Sequence, residues 1–525
     1  MRQRWIAWLI LAAGMLICRA AFLESVVYNI DEAEYGVAAR GLDHGLLPGV
    51  DFLGSNKTPG IVFLYGALFH LFGSSLIVTR VAYILMLVVE GGLLVELAIR
   101  LWGATAAIPA ALLFWMVANS FDIPPDMIPL NTEGAAMLVA VLAVWLAWWR
   151  PKDIRAVLGS GAALGLSVLF RQSSVFFILP VFSVLMLAPG QRVKRSVMLA
   201  TGALTVWAPV LAVYGAKHGL GWAWDSWVRY PLEYAGDTGI NGFAARLAYM
   251  ASEFGFQLMV PVALAIYGAV LLIRHGRKEQ FVLLGSLLLG SFLALCTGSR
   301  FFGHYWVQMY PIVVLSAVSA WQCMAQGTKR TKLLLTSLAL VAGLVALTHY
   351  NTWRTWDRYA PPRGISFFRL GVENDEVKLG AFAKEHTSPD EKICVWGYCP
   401  QIYWYAERLP AVRDFICHYV VGYSPGVSNL VMGQSERRLG HPRAVQMFLE
   451  DLERNRPKYI FDLTPVKRYT FAFTYYPMSS SPLVADYVLA NYVPDSRIGE
   501  AEIYRRRTPA DTLQPGSSDL EPAEE

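Results

Sequence analysis

Long apolar stretches with almost no charge limit this chain more than any other feature. The first, residues 5–23, reads WIAWLILAAGMLICRAAFL, and a helix that crosses a bilayer needs about 20 such residues. Similar stretches recur at approximately 76–99, 103–118, 134–149, 156–170, 174–188, 197–214, 254–273, 281–297, 305–323 and 332–349. Several are short for a full span, and 156–188 can be read as a broken pair. IVFLYGALFHLF at 61–72 is shorter still and follows Pro59-Gly60. It suits an interfacial or re-entrant helix, or an early start to the next span. Composition agrees: 55% of the 525 residues are hydrophobic and 16% are charged, where soluble domains carry roughly 25% charged residues. The predicted fold class is a polytopic α-helical membrane protein of about 11 spans with a C-terminal extramembrane α/β domain.

The basic residues sort by side. With a cytoplasmic N-terminus, one set of loops holds Arg100, the run Arg150-Pro151-Lys152-Asp153-Ile154-Arg155, and Arg192-Val193-Lys194-Arg195. The same set includes Arg274-His275-Gly276-Arg277-Lys278 and Lys329-Arg330-Thr331-Lys332. With Arg2 and Arg4 this side collects about 15 basic residues, and the opposite short loops roughly half as many, the positive-inside pattern. It predicts a multi-pass membrane protein with outer loops at 24–60, 119–133, 215–253 and 298–304 and, with eleven spans, an outer C-terminal domain, which one span more or fewer would move to the cytoplasm. The pI near 8.7 then reflects topology, and no nucleic-acid partner is expected. Trp (17) and Tyr (25) suit membrane-interface belts and sugar-stacking surfaces equally. No A-x-A-like cleavage site precedes Asp31, so the first apolar stretch is expected to be a retained helix and not a signal peptide.

The domain plan is 1–350 in the membrane, 351–507 outside it, and an acidic, disordered tail at 508–525. Residues 373–386 and 443–455 pattern as amphipathic helices, while 392–397 and 457–462 read as short strands. Residues 401–406 and 410–415 are strand or helix-start candidates. Helix-strand alternation of this kind argues for a small α/β domain. Cys18, Cys296 and Cys323 lie in or beside apolar stretches and read as packing residues. Cys394, Cys399 and Cys417 are odd in number, so at most one disulfide joins them, and no C-x-x-C spacing suggests zinc.

Candidate chemistry clusters at the outer loops. Asp31, Glu32 and Glu34 follow the first apolar stretch directly, where carboxylates are costly unless they work in a polar site. One carboxylate there can serve as a base and a neighbour can raise its pKa or orient it; acids at a solvated helix N-terminus explain the same pattern. Lys57, in Asn56-Lys57-Thr58-Pro59-Gly60, can stabilise a departing phosphate or simply snorkel. Arg80, four residues into a span, pairs with Glu90 or a loop acid, or contacts phosphate. Arg300 and His304, in SRFFGHYW at 299–306, suit a mono- or diphosphate among aromatic rings. Asn131, Glu133 and Arg171 at the same face, with Glu34 and Tyr35, are candidates for binding sugar hydroxyls, though Glu133 can equally cap its helix. G-x-x-x-x-G-K-[ST] and H-E-x-x-H are missing from the sequence, which argues against ATP-driven transport and zinc peptidase chemistry.

DEAEYGVAARGL after the first stretch, DFLGSNKTPGIVFLY before the next, and SRFFGHYWVQMYPIVVLSA late in the membrane part together resemble the glycosyltransferase C superfamily. The resemblance is to its protein O-mannosyltransferase and lipid A aminoarabinose transferase branches, and it covers residues 1–350. It implies an inverting transfer from a polyprenyl-phosphate-linked sugar to a lipid, glycan or protein acceptor on the periplasmic face. By the same resemblance Asp31 is the base with Glu32 beside it, and Lys57 and Arg300 contact the lipid phosphate, with His304 nearby. The family's Lys-Pro-Pro is Lys57-Thr58-Pro59 here. No D-x-D-type motif like that of the oligosaccharyltransferase branch is found, so no required metal or other cofactor is expected. A lipid-linked glycan transporter or flippase, and a glycan polymerase or ligase using a diphosphate carrier, are the competing readings.

Overall fold

The computed structural model of the protein describes residues 1–23, 27–53, 57–119, 127–236, 239–274, 276–299, 301–325, 343, 375–422, 443–466 and 476–512. The chain falls into two compact units. One comprises Met1–Val50 with Ser55–Leu370 and the other Asp51–Gly54 with Gly371–Glu525. Four residues of the first loop group with the second unit.

The first unit is helical. In chain order its main helices are α1 (Arg2–Arg19), α2 (Ile30–Leu42), α3 (Gly60–Phe72), α4 (Leu76–Trp102), α5 (Ala107–Asn119) and α6 (Thr132–Trp149). They continue with α7 (Ile154–Phe170), α8 (Ile178–Leu187), α9 (Arg192–Ala216), α10 (Gly239–Arg274), α11 (Lys278–Cys296) and α12 (Tyr310–Ala325). Four of these, α4, α6, α9 and α11, are long and apolar enough to cross a membrane, and shorter apolar helices stand among them. The protein is a polytopic α-helical membrane protein. The last expected span, 332–349, lies outside the described residues apart from Gly343. α3 has 13 residues, about 20 Å at 1.5 Å per residue, well below a ~30 Å bilayer core.

Local chemistry sets the ends of these helices. Ser75 and Asp153 accept the backbone N–H two residues on, at 3.2 and 3.0 Å, and so begin α4 and α7. Gly73 and Gly103, at φ +90° and +93°, stop α3 and α4. Three helices of this unit are entered through 3-10 turns, Ala104–Ala106 before α5, Gln172–Phe177 before α8 and Gly303–Met309 before α12. Arg19, buried at the end of α1, donates to the Ala118 and Met127 carbonyls at 2.8 and 2.5 Å and to Asn119 Oδ1 at 3.2 Å. It thereby satisfies the Ala118 carbonyl in the last turn of α5.

The second unit is a small α/β domain with a four-stranded sheet ordered β1-β2-β4-β3. Its elements are α13 (Asp375–His386), β1 (Cys394–Trp396), α14 (Pro400–Ala406), α15 (Ala444–Asn455), β2 (Tyr459–Asp462), α16 (Pro482–Asn491), β3 (Tyr492–Ile498) and β4 (Ala501–Arg506). β1 and β2 are parallel, with Val395 opposite Phe461, and the chain between them contains α14 and α15, as a parallel pair requires. β4 is antiparallel to both of its neighbours. Both parallel strands are buried throughout. Residues 410–415, a strand or helix-start candidate, contribute only the isolated bridge of Pro410 to Ile393. Cys394, Cys399 and Cys417 are buried free thiols, so no disulfide joins them. The loop residues 51–53 are built into this unit: Leu53 N–H donates to the Arg413 carbonyl at 2.8 Å, and the Phe52 ring meets Phe415 edge-on at 5.7 Å. Residues 509–512, expected in the disordered tail, form a 3-10 turn whose Asp511 binds Arg505 at 3.0 Å. Residues 513–525 lie outside the described residues.

Candidate active site

Helix α2 begins at the acidic cluster because Asn29 accepts the Asp31 N–H at 2.9 Å and two acids fall in its first turn, next to the positive end of the helix dipole. Once the segment is helical, periodicity divides the carboxylates. Residues three and four apart share a face, so Asp31 lies with Glu34 and Tyr35, while Glu32 is about 100° round the helix. Glu32 is fully buried and there meets Arg80 of α4. Arg80 Nε and Nη2 donate to the two Glu32 carboxylate oxygens at 2.9 and 2.8 Å. The Tyr28 N–H adds a bond to Glu32 at 3.1 Å, and the guanidinium lies 4.3 Å from the Tyr28 ring centroid. The loop acid, and not Glu90, is thus the partner of Arg80. Glu32 and Arg80 form a fork-on-fork pair that fixes α2 against α4.

On the other face, Asp31 Oδ2 accepts Lys57 Nζ at 2.5 Å and the Tyr35 hydroxyl at 3.3 Å, and Lys57 also donates to Tyr35. The Asp31 and Lys57 side chains keep 16% and 15% exposure, so both can be reached from solvent, whereas Tyr35 is fully buried. Burial disfavours the Asp31 charge, but the charges of Lys57 and His304 and the Lys57 and Tyr35 hydrogen bonds outweigh it and hold the carboxyl below its ordinary range. Burial opposes the Lys57 charge too, and Asp31, Glu34 and Glu133 reverse this, leaving Lys57 above its ordinary value. Burial and the carboxylates of Asp31, Glu34 and Glu133 push the Tyr35 phenol well up, so it remains protonated.

Neighbouring elements hold Lys57. The Thr58 hydroxyl donates to the Val168 carbonyl in the last turn of α7 at 3.1 Å, which a proline at that position could not do. A Cβ on Gly60 would fall 2.5 Å from the Leu169 carbonyl oxygen, so α3 starts against the α7 backbone only because residue 60 has no side chain. Beyond that contact α7 ends at Arg171, which ion-pairs with Glu133 of α6 and stacks its guanidinium 4.2 Å from the Tyr305 ring centroid. Arg171 Nε donates to Ser173 Oγ at 3.0 Å, and Ser173 donates to Gln308 at 3.1 Å. Thr132 donates to Glu133 at 2.8 Å, and His304 Nε2 stands 3.7 Å from the same carboxylate. Asn131 is buried, and among the described residues neither its Oδ1 nor its Nδ2 has a hydrogen-bond partner. A buried amide left open in this way is suited to a ligand's hydroxyl groups.

Asp31, Glu34, Tyr35, Lys57, Glu133, Arg171 and His304 thus form one charged cluster linked by ion pairs, hydrogen bonds and mutual electrostatic influence. Glu32 and Arg80 pair beside it, and Arg300 lies outside the described residues. The residues on either side of Arg300, Ser299 and Phe301, adopt left-handed backbone at φ 52° and 56°, a conformation disfavoured for non-glycine residues and frequent at functional sites. Thr132, Ser173, Tyr305 and Gln308 were not anticipated. Tyr305 and Gln308 lie within the SRFFGHYWVQMY stretch, but nothing in a single sequence marks Ser173 or Thr132. Among the described residues no group of three or more His, Cys, Asp or Glu is placed to hold a metal ion.

Residues 56–214, which carry Lys57, Asn131, Glu133 and Arg171, match the sequence profile of the dolichyl-phosphate-mannose-protein mannosyltransferase family. No curated protein sequence matches the chain significantly. The oligosaccharyltransferase of Archaeoglobus fulgidus, solved with a tethered acceptor peptide containing the NVT sequon, superposes with a TM-score of 0.53 at 14% identity, over 96% of this chain and 74% of that one. The archaeal AglB enzyme in complex with an inhibitory peptide and a dolichol-phosphate gives 0.52 at 14% identity over the same shares of the two chains. ArnT from Cupriavidus metallidurans, solved bound to undecaprenyl phosphate, gives 0.52 at 14% identity over 95% of this chain and 97% of that one. From its first helix through its small C-terminal sheet, the chain has the fold of the glycosyltransferase C superfamily of membrane glycosyltransferases.

Proposed function

We propose that the protein is an integral membrane glycosyltransferase that moves a hexosyl or pentosyl unit from a polyprenyl-phosphate carrier to a lipid, glycan or protein acceptor. The observation that carries this reading is the convergence of an accessible carboxylate, Asp31, and an accessible ammonium, Lys57, 2.5 Å apart at the exit of the first helix. Asp31 removes the proton of the acceptor hydroxyl or amine as that atom bonds to the anomeric carbon from the face opposite the phosphate. The anomeric C–O bond breaks with its electron pair going to the phosphate, and the configuration inverts. Lys57, with Arg300 and His304, stabilises the charge of the departing polyprenyl phosphate. The presence of undecaprenyl phosphate and dolichol-phosphate in the ArnT and AglB structures supports a carrier of this class. Glu34, Tyr35, Asn131, Glu133 and Arg171 are assigned to the sugar and acceptor, and Glu32 and Arg80 to the pair that fixes α2. No metal has a part in the proposal. The distribution of basic loops supports a cytoplasmic N-terminus, with the site and the second unit on the periplasmic face of the inner membrane.

A transfer assay in membranes tests this reading. Radiolabelled polyprenyl-phosphate sugars are supplied to wild type and Asp31→Asn. Label leaves the carrier only with wild type if the reading holds. Wild-type turnover by Asp31→Asn removes the base assignment. No transfer from any monophosphate donor by wild type moves the protein to the transporter or diphosphate-carrier class.

A further inference from the structure

The two groups given separate tasks above are bound to each other. Lys57 Nζ donates to Asp31 at 2.5 Å and to Tyr35, and Tyr35 donates to Asp31 at 3.3 Å. A carboxylate engaged by an ammonium in a partly dehydrated site is a weak base, because taking up a proton breaks that pair. An ammonium already engaged by a carboxylate is likewise a weakened phosphate ligand. Resting on the reading of Asp31 as base and Lys57 as phosphate ligand, we propose that Lys57 is exchanged from Asp31 to the donor phosphate, so that donor binding itself releases Asp31 as the base. Tyr35 is the positioning residue that makes the exchange short. Its hydroxyl contacts both partners, it is fully buried, and its ring packs edge-on against Tyr65 at 5.7 Å, so it stays in place while Lys57 turns.

The surrounding charges suit such an exchange. Lys57 faces Asp31, Glu34 and Glu133, and Asp31 faces Lys57, Tyr35 and His304. When the phosphate takes Lys57, Asp31 retains the Tyr35 hydroxyl and the nearby imidazole, which keep it oriented without an ammonium bonded to it. The device also orders the reaction. An acceptor arriving before the donor meets a carboxylate engaged by Lys57, so wasteful deprotonation in the absence of a leaving group is suppressed.

The test separates this inference from the reading beneath it. Affinity for undecaprenyl phosphate is measured in detergent by calorimetry for wild type, Asp31→Asn and Asp31→Ala, with transfer and thermal midpoint measured alongside. Removing the competing charge should tighten lipid binding on the order of tenfold in both variants, the size of one charge-assisted hydrogen bond, while transfer is lost. Tyr35→Phe should raise the donor KM more than it lowers kcat. Unchanged or weaker lipid binding in folded Asp31→Asn and Asp31→Ala, with transfer lost, overturns the exchange and leaves Asp31 as the base. Wild-type transfer by Asp31→Asn overturns both.

Discussion

Asp31 and Glu32 are adjacent in sequence and have different partners. Asp31 meets Lys57 at the edge of a site that solvent reaches, and Glu32 is sealed against Arg80. A single sequence marks both as acids at a membrane exit. Only the helical rotation of about 100° per residue tells them apart, and that rotation could not be phased before Asn29 was known to start the helix. Their substitutions should therefore fail differently. Asp31→Asn should keep its thermal midpoint in detergent and lose transfer. Glu32→Gln should leave Arg80 as an uncompensated charge in a dry contact, at a cost of about 3–5 kcal/mol, and appear as a fall in thermal midpoint and in yield. Replacing Glu32 and Arg80 together by Gln and Met should recover much of that stability. A Glu32→Gln protein with unchanged melting and no activity would instead place Glu32 in the chemistry.

The helices were legible wherever length and apolarity spoke together, as in α4, α6, α9 and α11. They were less so where backbone chemistry intervenes. The expected span at 305–323 is a 3-10 turn followed by α12, because Pro311 stands as the second residue of α12, where its missing N–H costs nothing. The hairpin β3–β4 escaped notice because its outer strand is polar, contains Pro494 and carries a bulge between Pro494 and Ser496. Those are features of an edge strand that blunts further pairing and also the strand pattern. Helix contacts built on glycine were equally silent. At the α7–α9 crossing a Cβ on Gly161 would fall 2.0 Å from the Leu199 carbonyl oxygen, and one on Gly202 2.1 Å from that of Leu158. Small residues allow such backbone approach inside membranes. Gly202→Val should therefore push the helices apart at a cost of about 1–3 kcal/mol. Because α7 ends at Arg171, transfer should fall with the thermal midpoint. Gly285→Val on α11, with nothing within 4 Å of its Cβ position, is the control expected to leave both unchanged.

Across the whole molecule there are two kinds of buried acid, those held by a cation and those without one among the described residues, and they should respond to pH differently. Of the first kind, Glu32 and Glu133 are each held by an arginine. Of the second, Asp414 is buried with its Oδ2 accepting the Val420 N–H at 2.8 Å, while Oδ1 has no hydrogen-bond partner among the described residues. Burial pushes the Asp414 carboxyl up to about 7, with Asp451 adding to the rise and the backbone N–H groups of Val420, Tyr419 and His418 opposing it. The folded unit thus holds this proton more tightly than the unfolded chain does, where the carboxyl returns to 3.8. Below about pH 4 both states are protonated and Asp414 carries no charge penalty. As the pH rises to about 7 the unfolded chain ionises freely and the folded unit does not, so stability falls across that window, by an upper bound of roughly 4 kcal/mol, and levels off above it. Asp462, also raised by burial, acts in the same direction, so the Asp414 share is read as a difference between variants. Hydrogen exchange in the full-length protein, corrected for intrinsic rates, should show the β1 and β2 amides losing protection between pH 4 and 7 in wild type. Asp414→Asn should flatten most of that loss while leaving the α4 and α6 amides untouched. A wild-type profile that gains protection over the same window would mean that Asp414 is ionised and paired in the folded unit.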